Sequence, residues 1–111
     1  MTEYEYPTEK QLETIRNWNF EKGFKSLAKY VESLWWTPSW GFKLSRGKTH
    51  LFSYQVIKLQ LHTGGWSGNE SIISALQQNL MFWSLCFYME ITGGHYWFDI
   101  RKDMWEPTNS E

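Results

Sequence analysis

His62 and His95 each stand beside a glycine pair, Gly64-Gly65 and Gly93-Gly94. Imidazole is the side chain whose proton moves near neutral pH, so two rings meeting at one rim suit ligand contact or acid–base work. The third histidine, His50, lies 12 residues before His62, and His95 lies 33 after it. No H-x-x-x-H spacing and no second cysteine accompanies them, so no metal ligand set is expected. Glu90 and Asp99 are carboxylates on two segments that fold back on each other, a placement that general acid–base chemistry can use. Thr63 to Glu70 reads TGGWSGNE. Its glycines permit close backbone approach, and the helix start that follows offers N–H groups to an anion, with Ser67 and Asn69 as further donors and Trp66 as a stacking surface. The tract has no lysine and matches neither phosphate-loop nor dinucleotide-loop spacing. Cys86 sits in an apolar run and reads as a small core residue. As the single cysteine it forms no intramolecular disulfide.

These residues need a scaffold. Thr8 to Gln11 has the T-x-x-Q form of a capping box, and Leu12, Ile15 and Trp18 follow on one face, predicting a helix over 8–18. Phe20, Phe24, Leu27, Ala28, Val31 and Leu34 form a second helical stripe over 20–35, ended before Pro38. Phe42–Ser45 alternates, Arg46-Gly47-Lys48 is expected to turn, and His50–His62 reads as a long strand with a bulge near Gln55–Ile57. Ser67-x-x-Glu70 opens a third helix that Asn79 ends. Leu80–Ile91 is nearly continuous apolar sequence and reads as a central strand. Gly93-Gly94 is expected to be a two-residue hairpin turn, and His95–Lys102 the last strand. The fold class is therefore α+β: two N-terminal helices and a four-stranded, mostly antiparallel sheet, with a third helix between strands two and three. The 111 residues form one domain, with 1–7 and 107–111 frayed.

A two-residue turn pairs Thr92 with His95. Ile91, Met89 and Phe87 then face Tyr96, Phe98 and Ile100 on an apolar side. The opposite side carries Tyr88, Glu90, His95, Trp97, Asp99 and Arg101 in one patch, with Cys86 opposite Arg101. Eight Trp, six Tyr and seven Phe exceed what one small core needs, so part of the aromatic load is expected at a binding surface.

The net charge of −1 excludes a wholesale polyanion binder. Its distribution is uneven: Lys and Arg dominate residues 22–63, while acids dominate both flanks. Lys22, Lys25 and Lys29 read as a solvated helix face; joined by Lys43, Arg46, Lys48 and Lys58 they would make a basic patch for an acidic partner or a nucleic-acid backbone. No nucleic-acid motif is present, so nucleic acid is not expected. No apolar run is long enough to span a membrane, and the start lacks the features of a signal peptide, which points to a cytoplasmic location.

The tracts GGWSGNESIISALQQN (Gly64–Asn79) and TGGHYWFDI (Thr92–Ile100) resemble those of small uncharacterised proteins encoded in bacteriophage and prophage genomes. The resemblance covers roughly the last half of the chain. It implies a bacterial host cytoplasm and a role during infection, and it carries no catalytic residues. The expected function is that of a non-enzymatic binding protein without a cofactor. Its aromatic sheet face would engage a protein partner, a host factor or a second copy. The alternatives are a small-anion binder built on the loop 64–69, and an enzyme using His62, His95, Glu90 and Asp99.

Overall fold

The computed structural model describes residues 6–49 and 54–106. The fold is α+β, a four-stranded antiparallel sheet with helices on both sides. Helix α1 (Glu9–Arg16) starts on the expected capping box: Thr8 Oγ1 accepts from the Gln11 N–H at 3.1 Å, and Gln11 Oε1 accepts from the Thr8 N–H at 2.8 Å. The second stripe is broken by Gly23, whose φ of 87° only glycine adopts cheaply. A 3-10 turn (Phe20–Lys22) therefore precedes helix α2 (Phe24–Leu34). A short helix α3 (Pro38–Gly41) leads into strand β1 (Phe42–Lys48). Arg46-Gly47-Lys48 is thus strand rather than turn, and Lys48 pairs with Gln55, the first residue of strand β2 (Gln55–His62). β2 pairs without a bulge, and Val56 and Ile57 are both buried, one on each face of the sheet. His50 and Ser53 lie outside the described residues, as do 107–111. Tyr6, expected to fray, is ring-packed against Trp66.

After helix α4 (Ser67–Gln78) the largest departure occurs. Leu80–Cys86 is helix α5, not strand, and only Phe87–Ile91 (β3) is extended. Strand β4 (His95–Arg101) and a single helical turn, α6 (Lys102–Trp105), complete the chain. The strand order is β1-β2-β4-β3, so β3 is an edge and β2 and β4 are central. β2 and β3 run parallel to each other with β4 inserted between them.

The cause lies at Asn79. Its Oδ1 accepts from the Phe82 N–H at 3.1 Å and so caps α5. Its Nδ2 donates to the carbonyls of Ile15 at 2.9 Å and Trp18 at 3.3 Å. One buried amide thus starts α5 and satisfies the last carbonyls of α1. Phe82 then enters the core between Phe24 and Phe98, at centroid distances of 5.2 and 5.1 Å. α1, α2, α4 and α5 bury one cluster with the core side of the sheet, where Leu59, Leu61, Phe98 and Ile100 point. On the other side, among the described residues, α3 reaches the sheet through Trp40, whose ring lies 6.0 Å from that of His62.

Replacing Asn79 with Ala removes a cap and the two bonds that tie α5 to the carbonyls of Ile15 and Trp18. A loss of about 2–4 kcal/mol is expected in urea unfolding. Asn79→Asp keeps the cap acceptor but sets a carboxylate against two carbonyls. It should therefore recover little of that loss.

Candidate functional site

The sheet face turned away from the core is the candidate site. Directly paired residues share a face, so the register places Lys43, Gln60, Trp97 and Met89 in one row across it. Ser45, Lys58 and Asp99 form the next row, and His62, His95 and Ile91 another.

The last hairpin corrects the expected register. Ile91, not Thr92, pairs with His95, so the turn has three residues, Thr92-Gly93-Gly94. Gly94 fixes this turn against the end of β2. Its carbonyl accepts from the Thr63 N–H at 2.9 Å, and a Cβ on Gly94 would meet Thr63 Oγ1 at 2.1 Å. The one-residue slip exchanges faces. Met89 and Ile91 turn outward, and Glu90 pairs with Tyr96 on the core side. A bulge at Tyr88 then cancels the slip, so Phe87 opposes Phe98 and Tyr88 stays outside. Tyr88, His95, Trp97, Asp99 and Arg101 accordingly share the outer face, and Glu90 leaves it. Burial, and then the Glu90 carboxylate to which it donates, raise the Tyr96 phenol pKa. Glu90 and Asp99 lie on opposite faces and form no acid–base pair.

Lys58 Nζ lies 3.2 Å from Asp99 Oδ1 and 5.7 Å from the centre of the Tyr88 ring. The Arg101 guanidinium sits 4.8 Å over Tyr54. Cys86 is buried at the end of α5, away from its expected position opposite Arg101. Burial, helped by Asp99, pushes its thiol pKa up to about 12, so it is protonated and unreactive at neutral pH.

His62 and His95 do meet, as a direct cross-strand pair. Their Nδ1 atoms are 2.8 Å apart and the ring centroids 5.0 Å apart, so the nitrogens face each other along a hydrogen bond. Gln60 Oε1, an acceptor, lies 3.3 Å from His62 Nε2, which therefore donates. His62 Nδ1 is left to accept, and His95 Nδ1 donates into it. His95 Nε2 is then the nitrogen with a lone pair to offer a ligand. A pair of ring nitrogens joined by a hydrogen bond does not converge on an ion. Among the described residues, no three His, Cys, Asp or Glu side chains group as a metal site. Trp97 stands edge-on to His62 at 5.7 Å. Burial, then His95 and Lys43, hold the His62 pKa below the usual imidazole value.

The glycine-rich loop is organised inward. Its helix N-cap is Trp66, one residue before the expected Ser67, because Trp66 stacks on Trp36 at 5.0 Å with Tyr6 at 5.2 Å. Ser67 Oγ donates to the Tyr6 hydroxyl at 2.9 Å. Asn69 is 1% exposed. It accepts from the Trp36 N–H at 2.9 Å and donates to the carbonyls of Trp36 at 3.2 Å and Thr63 at 3.3 Å. These bonds hold the chain beside Thr37, a β-branched residue in the left-handed region at φ 57°. The groups read as anion donors thus bond to the protein itself.

Met89, Ile91, Gln60 and Trp40 join the site without having been singled out, and Lys58, expected in a basic patch, joins it through Asp99. A three-residue turn reading of Thr92-Gly93-Gly94 would have found the first two. Trp40 carries no sequence signal for its place. No family model matches the chain, nor does any curated protein or solved structure. Among the described residues, no helix is long and apolar enough to cross a membrane.

Asn69→Ala should cost about 2–3 kcal/mol of stability in urea unfolding, because it removes three hydrogen bonds of a buried amide. A residue that merely contacts a ligand would cost nothing there. The lowered His62 pKa means that the folded state favours neutral imidazole. Its contribution is present above the unfolded pKa and lost as pH falls through the folded one. The urea midpoint should therefore drop between about pH 7 and about pH 5, and His62→Gln should flatten that drop.

Proposed function

We propose that the protein is a non-enzymatic binding module that engages a protein partner with its outer sheet face. The observation that carries this reading is the exposure of Tyr88, Met89 and Ile91, at 46, 37 and 48%, on an edge strand beside Trp97. Monomeric proteins seldom leave contiguous large apolar side chains in water, and such patches mark interaction surfaces. Leu85 and Met81 of the preceding helix α5 are exposed as well. Arg101 and the Lys58–Asp99 pair supply a polar rim that orients a partner. Following the resemblance to small phage-encoded proteins, the partner is a host factor and the location the host cytoplasm. The separation of Glu90 from Asp99 and the inert Cys86 favour binding over catalysis. The buried and fully engaged Asn69 favours the sheet face over the loop 64–69.

The test is affinity capture from bacterial lysate with the full chain. The wild type should retain a defined protein, and Ile91→Lys and Met89→Lys should lose it, while Lys29→Ala on α2 keeps it. Trp97→Ala should weaken the purified complex by more than about 1 kcal/mol. Retention by both lysine variants would refute the assignment of this face. Sedimentation velocity on the free chain reads the other partner: a dimer that Ile91→Lys dissociates makes the partner a second copy.

A further inference from the structure

The cations of α1, the 3-10 turn, α2, β1 and α6 line a second surface that the sheet-face reading does not use. Four concavities adjoin there. The first, about 340 Å³, is floored by Trp18 beside Lys10, Glu13 and Lys22. It meets the second, about 320 Å³, at Lys22. The second and third share Lys25, Trp105 and Glu106. The third, about 390 Å³, and the fourth, about 320 Å³, share Arg46, Ile57 and Lys102, and the fourth continues to Lys48 and Gln55. The run is one trough lined by seven cations and three carboxylates, in a chain whose net charge is −1. Two of the carboxylates are engaged, Glu106 with Lys25 at 3.2 Å and Asp103 with Arg101 at 3.7 Å. Arg46, Lys48 and Lys102 form no ion pair among the described residues.

We infer that this trough binds single-stranded nucleic acid. Cations spread along a groove, rather than converging on one point, match a chain of evenly spaced anions. Trp18 and Trp105 interrupt them with half-buried indole rings packed against the core. Trp18 lies on Tyr30 at 5.5 Å, with Lys22 Nζ 5.7 Å from its centre. Each ring thus offers a base the part that the core leaves uncovered. Alternating cations and rings are what a single strand requires: phosphates neutralised by Lys and Arg, bases stacked on aromatic faces. An acidic peptide would use the charges and leave the rings without planar partners. A duplex holds its bases stacked where these rings do not reach. No sequence motif announces the site, because elements far apart in the chain assemble it.

The experiment is fluorescence anisotropy with a labelled oligo-dT of about 12 nucleotides, within the usual span of such sites. The wild-type chain should bind it with strong salt dependence and quenched tryptophan emission. Lys102→Glu with Arg46→Glu, both exposed positions, should weaken binding at least tenfold with an unchanged circular dichroism spectrum. Single Lys→Ala changes should each lower the salt slope by about 0.7. Trp105→Leu should reduce quenching, and the charge reversals decide the matter if that variant unfolds. Three results would overturn the proposal: no binding at low salt, an affinity untouched by the charge reversals, or equal or tighter binding of polyglutamate or duplex DNA.

Discussion

The amide of Asn79 is the joint on which the architecture turns. Its oxygen begins α5 and its nitrogen closes α1, so a segment apolar enough to be a central strand is committed to helix instead. Only five residues then remain to be extended before the hairpin, and β3 is short and peripheral. The central position passes to β4, whose Phe98 and Ile100 are fully buried, and whose Trp97 and Asp99 therefore point away from the core. The outer face follows from where one side chain finds its hydrogen bonds.

The helices with local signals were legible from the residues alone. The Thr8–Gln11 box and the α2 stripe act over a few neighbours, and so does Asn79 as a helix end. What escaped depends on distant partners. Leu80–Cys86 has the composition of a strand and becomes a helix through bonds to Ile15 and Trp18. Thr92-Gly93-Gly94 becomes a three-residue turn because Gly94 is drawn against Thr63 across the sheet. The parity of β4 survived that error because burial of Phe98 fixes it independently. Most of the expected patch stayed on one face for that reason, and Glu90, whose parity rested on the turn alone, did not.

The two asparagines carry one lesson about buried amides. Asn79 looked like a simple stop and is a three-way tie. Asn69 looked like a ligand donor beside a flexible loop and is buried with each amide group engaged. In both cases the unsatisfied backbone of another segment takes the amide first, since leaving it unpaired inside the protein costs more than a surface contact returns.

The sheet's two free margins are defended against fibril growth by unlike means. β1 carries Lys43, Arg46 and Lys48, which repel another copy of the same strand. β3 is apolar, but its bulge at Tyr88 spoils the even spacing that strand addition needs. Charge repulsion fades with ionic strength and backbone geometry does not. In concentrated salt, therefore, the protection of the basic margin weakens while that of β3 stays.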